Sequence, residues 1–356
     1  MTDLPQKMMG ALLKGVEQIE IREFNVKRPG PEEIIIAIKA ATTCGTDVKV
    51  FKRGGHPRML EVPALFGHEM AGNIAAIGPD VNNFKEGDEV VVANSAPCQS
   101  CVYCQHGREN LCTDLHYLNG AFAEYIRIPA RFVRESTHRI PPGLPFHLAA
   151  LTEPLACVLH GINACELKRF TQQEPPEIIV FGAGPIGLLF VGALATSGYH
   201  VVLADPNKAR LDIGSAMGAR KTIKIERGGG QAEAVRAITN HGQGAWVAID
   251  ATGVSSVWLD AIHSVRAGGL VNLFGGCAPG STIPLDTHLA HYSELTIKGV
   301  YHHRPETIRQ ALNLLTNPDL KANLLLSTEM PIECTEEAIR SMIDKKSLKV
   351  IISGTE

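Results

Sequence analysis

The stretch EIIVFGAGPIGLLFVGALATSGYHVVLAD occupies residues 177–205 and contains the pattern that decides the fold. An apolar strand leads into a glycine-rich turn, and an apolar run with helical character follows. In such a turn the first glycine permits a tight bend, the second lets a pyrophosphate approach the backbone, and the third lets the helix pack on the strand. The N-terminus of that helix attracts phosphate. The stretch therefore predicts a dinucleotide site formed by Gly182, Gly184, Pro185, Ile186 and Gly187.

The next strand ends in Asp205, 18 residues after Gly187. A carboxylate at this position can accept hydrogen bonds from the adenosine ribose and repel a 2′-phosphate, which favours NAD over NADP. Arg210 and Lys208 keep an alternative open, because a nearby cation can tolerate that phosphate. As solvated residues of a helix face they would have no such role.

Apolar strands and segments of helical period alternate after the polar stretch 171–177. The strands are nearly all apolar, which predicts a doubly wound parallel sheet with helices on both faces, that is, a Rossmann domain. Between residues 32 and 140, by contrast, short strands are broken by glycine and proline, which indicates an antiparallel, barrel-like domain. From about residue 296 a strand, two helices and a final strand follow, and composition alone does not assign them to either domain.

The chain has 356 residues, a net charge of -3 and 45% hydrophobic residues. This length favours two domains, and the charge gives no basic surface for nucleic acid. The first ten residues lack a cationic segment followed by an apolar one, and no stretch offers about 18 unbroken apolar residues. We therefore expect a cytoplasmic protein that neither crosses nor binds a membrane.

Two groups of side chains have the chemistry of metal ligands. Four of the nine cysteines fall within fifteen residues. In a large chain without a signal peptide, this crowding favours metal binding over disulfides, because the cytosol keeps thiols reduced. They can close a tetrahedral zinc shell with no open position, which predicts a structural site formed by Cys98, Cys101, Cys104 and Cys112. A second set has ordinary roles if each member is taken alone, but together it offers three protein ligands plus water, as in catalytic zinc sites: Cys44, His68, Glu69 and Glu153.

With these residues in place, the chain resembles the zinc-dependent medium-chain dehydrogenases, the superfamily of alcohol, sorbitol and threonine dehydrogenases. The likeness runs nearly end to end through CGTD, GHE, the four-cysteine lobe, TEPLAC, FGAGPIG and the acidic end of the following strand. It implies an α/β protein with a GroES-like antiparallel β-barrel catalytic domain, residues 1–155 completed by 296–356. A Rossmann domain for NAD would occupy residues 156–295.

The resemblance also implies roles for single residues. Cys44, His68 and one or both glutamates would hold the catalytic zinc, with Glu69 or Glu153 binding directly or through water. Glu153 replaces the cysteine of alcohol dehydrogenases and points to the sorbitol-like and threonine-like branches. Thr46 matches the family's proton-relay hydroxyl.

Lys49 departs from the histidine that relatives use as the outer proton acceptor. A lysine with an ordinary pKa near 10.4 is already protonated at neutral pH, so we expect Lys49 to be solvated and not to act as the base.

The predicted function is therefore oxidation of a secondary alcohol, on a polyol or sugar alcohol, with two zinc ions per chain and NAD. An amino-alcohol dehydrogenase of the threonine type fits the same motifs. A third possibility is a relative that binds the dinucleotide without catalysis, since a fold does not guarantee a function. The family implies a homodimer or homotetramer.

Overall fold

The computed structural model describes residues 4–170 and 175–354. The strands of these ranges are β1 (Lys7–Gly15), β2 (Gln18–Asn25), β3 (Ile34–Thr42), β4 (Ala64–Leu65), β5 (Glu69–Ile77), β6 (Glu89–Val92), β7 (Ser95–Ala96), β8 (His116–Tyr117), β9 (Tyr125–Ile128), β10 (Thr137–Arg139), β11 (Glu177–Phe181), β12 (His200–Asp205), β13 (Lys221–Lys224), β14 (Ala245–Asp250), β15 (Val265–Leu273), β16 (Thr296–Gly299), β17 (Leu326–Pro331) and β18 (Lys349–Ser353).

The α-helices of the same ranges are α1 (Gly45–Arg53), α2 (Val102–Gln105), α3 (Ala130–Glu135), α4 (Phe146–Ala149), α5 (Thr152–Ala164), α6 (Pro185–Thr196), α7 (Lys208–Ala216), α8 (Ala232–Ala237), α9 (Ser255–Ser264), α10 (Thr287–Tyr292), α11 (Pro305–Leu315) and α12 (Thr335–Ile343). Short 3-10 turns connect several of them. None of the helices in the described ranges is both long and apolar enough to cross a bilayer.

The described residues divide into two compact units. The first unit combines the chain up to Ala156 with Arg304–Thr316 and the residues from Leu325 onward, and the second contains Cys157–His303 and Asn317–Leu324. The chain therefore leaves the second unit at residue 303, later than the boundary at 296 expected from sequence. The reason is strand pairing, because β16 adds to the edge of the second unit's sheet beside β15. The polar stretch expected at 171–177 lies partly outside the described residues.

The first unit is built mainly from antiparallel strands. One sheet has the order β10-β6-β5-β3-β18-β17, with β9 also pairing with β3, and a second has the order β2-β1-β4. Most side chains of β3 are buried, and its apolar residues form the centre of the core. The last strand, β18, pairs antiparallel with β3 and places the C-terminal segment beside Thr42.

The second unit contains a six-stranded parallel sheet of order β13-β12-β11-β14-β15-β16. Every residue of β11 is buried, as expected for a strand covered by helices on both faces. The strand order reverses between β11 and β14, and in such sheets the crevice outside the carboxyl ends at this switch point is where ligands bind. The predicted fold class, a GroES-like domain with a Rossmann sheet, is confirmed.

Candidate active site

Cys44, His68 and Glu69 come together in the first unit. Cys44 is the N-cap residue directly before α1, and His68 and Glu69 lie where the chain enters β5. Their ligand atoms all lie within 4.8 Å of one another. This is close enough to share one zinc ion, whose bonds to sulfur, nitrogen and oxygen are about 2.0–2.3 Å long.

Asp47 fixes the positions of His68 and Cys44 through its two carboxylate oxygens. One of its carboxylate oxygens lies 3.0 Å from His68 Nδ1, and the other accepts a hydrogen bond of 2.8 Å from the Cys44 N–H. Asp47 is 1% exposed, so neither contact is shared with bulk water. Its bond to Nδ1 leaves Nε2 of His68 for a metal, which is the arrangement of a carboxylate behind a zinc-binding histidine.

The charges around His68 favour a cation. Burial alone lowers the pKa of His68, but the Asp47 carboxylate and Cys44 together hold that pKa well above its usual value. A site that attracts a proton so strongly attracts a divalent cation for the same electrostatic reason. The donor set of thiolate, imidazole and carboxylate thus fits zinc.

Glu69 is held by two partners and keeps one oxygen uncommitted. Its Oε2 accepts hydrogen bonds from the Thr42 hydroxyl and, at 2.5 Å, from Lys349 Nζ. Glu69 is 0% exposed and Lys349 1% exposed, and the nearby carboxylate keeps the pKa of Lys349 raised although burial opposes this. Within the described ranges no donor reaches the buried Oε1 of Glu69. A metal ion would satisfy this oxygen, since a buried carboxylate oxygen without a partner is unfavourable.

The other residues expected at this site occupy different positions. Glu153 lies in the first turn of α5 beside Met70 and Val92, and it does not belong to the group formed by Cys44, His68 and Glu69. Thr46 is half-buried in the first turn of α1, and its N–H donates to Cys44 Sγ at 3.4 Å. Lys49 is exposed, as predicted.

The four-cysteine lobe has the dimensions of a zinc site. Sulfur separations are 3.9 Å for Cys98–Cys104, 3.6 Å for Cys101–Cys104 and 3.9 Å for Cys101–Cys112. Four sulfurs bound tetrahedrally to one zinc at about 2.3 Å lie about 3.8 Å apart. Backbone N–H donors lower the pKa of Cys101 to about 5, whereas burial raises that of Cys104 to about 12, so a cation is needed to hold all four as thiolates.

The glycine-rich turn follows β11 as expected. Gly182 has φ +97°, which favours glycine, and a Cβ on Gly187 would lie 1.7 Å from the Gly182 carbonyl oxygen. A Cβ on Gly184 would meet no protein atom within 4 Å in the described structure, so this position faces open space. Gly184 precedes α6, whose first turn includes Pro185 and receives no side-chain cap in the described structure, leaving its N–H groups for an anion.

Asp205 lies at the carboxyl end of β12 and is 7% exposed. Its Oδ2 accepts from the Ala183 N–H and its Oδ1 from the Asn207 N–H, both at 2.7 Å. The carboxylate therefore stabilises the glycine-rich turn through the Ala183 N–H. The expected hydrogen bond to the ribose would be a second role of the same group. Arg210 is half-buried in α7, and Lys208 forms an exposed ion pair with Asp212.

Sequence reasoning missed three residues that support the candidate metal site, Thr42, Asp47 and Lys349. Asp47 had a usable signal, because an acidic residue three positions after the start of a helix can bond back to the backbone there. Lys349 had none, since only the pairing of β18 with β3 brings it to Glu69.

Comparison with known proteins supports a single family. Residues 30–141 match the alcohol dehydrogenase GroES-like domain, and residues 185–317 match the zinc-binding dehydrogenase family. The chain is 30% identical to sorbitol dehydrogenase of Bacillus subtilis, with 98% of each protein covered. It is 29% identical to L-threonine 3-dehydrogenase of Idiomarina loihiensis, covering 92% of this chain and 95% of the relative. A zinc-binding dehydrogenase of Sinorhizobium meliloti solved with NADP superposes with a TM-score of 0.88 at 25% identity, over 98% of this chain and 100% of that one.

Proposed function

This chain belongs to the family of zinc-dependent alcohol dehydrogenases, and we propose that it uses NAD to oxidise a secondary alcohol of a polyol or sugar alcohol to a ketone. Alcohol oxidation with zinc and a nicotinamide dinucleotide follows from the family, and the polyol and the preference for NAD are the proposal. One observation carries the zinc-dependent chemistry: Cys44, His68 and Glu69 converge within 4.8 Å, and among the described residues no donor reaches the buried Oε1 of Glu69. The similarity to sorbitol dehydrogenase supports the polyol, and Asp205 supports the preference for NAD.

Each residue contributes a separate part of the chemistry. Bound zinc would lower the pKa of a substrate alcohol, as it lowers the pKa of bound water to about 7, and a bound nicotinamide would supply the hydride acceptor. Asp47 fixes the ring of His68 through Nδ1, so that Nε2 would be available to hold zinc, and Lys349 with Thr42 fixes Glu69. Thr46 is the proposed first group of the proton relay: its hydroxyl would accept the alcohol proton and pass its own proton to water. Glu153 is the alternative carboxylate, acting directly or through water.

The finer assignments are also proposals. We assign the alcohol chemistry to the first unit and dinucleotide binding to the second. A second zinc is assigned to Cys98, Cys101, Cys104 and Cys112, supported by the sulfur separations. Asp205 supports NAD, while the structure of the Sinorhizobium meliloti relative was solved with NADP, so a related fold also accepts the phosphorylated dinucleotide. The reduced four-cysteine lobe supports a cytoplasmic location. Homodimers or homotetramers are expected from the family resemblance.

The test is a substrate panel with purified, zinc-loaded protein. Formation of NADH or NADPH is followed by absorbance with sorbitol, xylitol, ribitol, L-threonine and simple secondary alcohols, and kcat/KM is compared. We expect a polyol to exceed L-threonine by at least about ten-fold, equivalent to about 1.4 kcal/mol of transition-state stabilisation. Cys44→Ser, with its zinc content measured in parallel, is the control for metal-dependent turnover.

Two outcomes would redirect the assignment. L-threonine as the best substrate would establish the amino-alcohol reaction, which the match to L-threonine 3-dehydrogenase supports as the second candidate. Absence of turnover with every alcohol, in protein that carries zinc and binds NADH, would indicate a non-catalytic dinucleotide-binding relative.

A further inference from the structure

Asp250 is a buried carboxylate that the chemistry above does not use. It is the last residue of β14, beside the switch point of the parallel sheet, and it is 0% exposed. In register it pairs with Phe181 on one side and Leu273 on the other. Its position is therefore the carboxyl edge of the sheet, where the turns after β11, β14 and β15 lie next to each other.

Four donors converge on this one side chain. Its Oδ1 accepts from the Thr252 N–H at 3.1 Å and the Thr252 hydroxyl at 2.6 Å. Its Oδ2 accepts from the Gly253 N–H at 3.0 Å and from Trp258 Nε1 at 3.1 Å. The Asp250 carboxylate thus ties the turn after β14 to α9, which carries Trp258.

The same indole N–H reaches the next turn. Trp258 Nε1 also donates to the Gly275 carbonyl oxygen at 3.1 Å, and the Gly275 N–H donates to the Asp250 carbonyl oxygen at 2.8 Å. The turns are packed so closely that a Cβ on Gly275 would lie 2.2 Å from the Gly253 nitrogen. The turns after β14 and β15 therefore form one surface, fixed by Asp250 and Trp258.

In a doubly wound sheet the two halves of a dinucleotide lie on either side of the switch point. Asp205, on β12, marks the adenosine side, so the turns after β14 and β15 lie under the nicotinamide side. We propose that Asp250 and Trp258 are positioning residues for the nicotinamide half of the cofactor, acting through the turns at Gly253 and Gly275. This inference rests on the dinucleotide site proposed above.

Trp258→Phe tests the proposal, because it removes the N–H group while keeping an aromatic ring. The matched control is Trp246→Phe, since Trp246 is the other tryptophan of the chain and lies near the opposite end of β14, about 13 Å from Asp250 along the strand. Two ligands are titrated by calorimetry: NADH, and ADP-ribose, which lacks only the nicotinamide. Steady-state kcat and KM for NAD are measured alongside.

We expect Trp258→Phe to weaken NADH binding by about ten-fold, leave ADP-ribose within about two-fold, and lower kcat, because the ring is no longer held in a reactive position. Trp246→Phe should leave both affinities unchanged. Folded Asp250→Asn should show the same selective loss of NADH affinity, because the asparagine NH2 group would face hydrogen-bond donors that the carboxylate accepts in the wild type. Equal loss for both ligands, or unchanged NADH binding in Trp258→Phe, would overturn the proposal. Wild-type protein that binds neither ligand would refute the underlying dinucleotide site instead.

Discussion

Replacement of Lys349 by methionine tests the electrostatic design of the metal site. Lys349 and Glu69 are both buried and paired at 2.5 Å, so the variant leaves the Glu69 charge without its cation. Removing one partner of a buried ion pair costs about 3–5 kcal/mol. The first unit contains about 200 residues, for which each kcal/mol lowers Tm by about 2–4 °C, so we expect a fall of about 6–20 °C in metal-free protein.

The same variant should be less destabilised when zinc is bound, because a cation at Glu69 Oε1 compensates the carboxylate that Lys349 no longer neutralises. Differential scanning calorimetry is performed on zinc-loaded and chelator-treated samples. The matched control is Lys346→Met, whose lysine pairs with Asp344 at 3.3 Å while 75% exposed and should shift stability by less than about 1 kcal/mol. A Lys349→Met shift no larger than that of the control, or identical with and without zinc, would refute the reasoning.

Three further predictions follow from the sites. Metal analysis should find two zinc ions per chain, and a single zinc ion in the fully loaded wild type would contradict the two-site assignment. Cys44→Ser should lose one zinc ion and the activity while staying folded, whereas Cys104→Ser should mainly lose stability. Asp205→Ser should weaken NAD binding roughly ten- to a hundred-fold and reduce the preference for NAD over NADP, measured as kcat/KM for each cofactor. A wild type that uses NADP as efficiently as NAD would refute the proposed role of Asp205 in selecting NAD. Lys49→Met should change kcat less than about five-fold at pH 8, because the Lys49 side chain is exposed and lies outside the cluster of Cys44, His68 and Glu69. A hundred-fold loss of kcat, with zinc content and cofactor binding intact, would show that Lys49 takes part in the proton relay.

Local motifs were predictable from the sequence because their geometry is fixed over a few residues. The spacing of Gly182, Gly184 and Gly187 defines a turn by itself, and the short spacing of the four cysteines allows one ion to join them. The combined ligand chemistry of Cys44, His68, Glu69 and Glu153, together with the family resemblance, predicted a second metal site, although each of these residues alone has an ordinary interpretation.

Contacts set by strand pairing were not predictable. Lys349 stands in the apolar run LKVIIS, where a lysine normally indicates a solvent-facing position, and its burial depends on register with β3. The run LTIKGV at β16 has the composition of a strand, but composition does not reveal which sheet accepts it, so the expected boundary came too early. The sequence likewise does not choose between Glu69 and Glu153 as the zinc ligand, since both are acidic residues beside apolar segments.

The partnership of Glu69 and Lys349 also affects the order in which the protein matures during synthesis. The two residues are 280 positions apart, with the entire parallel sheet encoded between them. At about 5–20 residues per second, a ribosome needs roughly 14–56 s to travel from one codon to the other. During that time the parallel sheet can form, whereas Glu69 has no lysine partner until residue 349 has been synthesised. A nascent chain can therefore assemble its glycine-rich turn well before the side chains of its proposed metal site, and a chain released before residue 349 lacks the positive charge that neutralises Glu69.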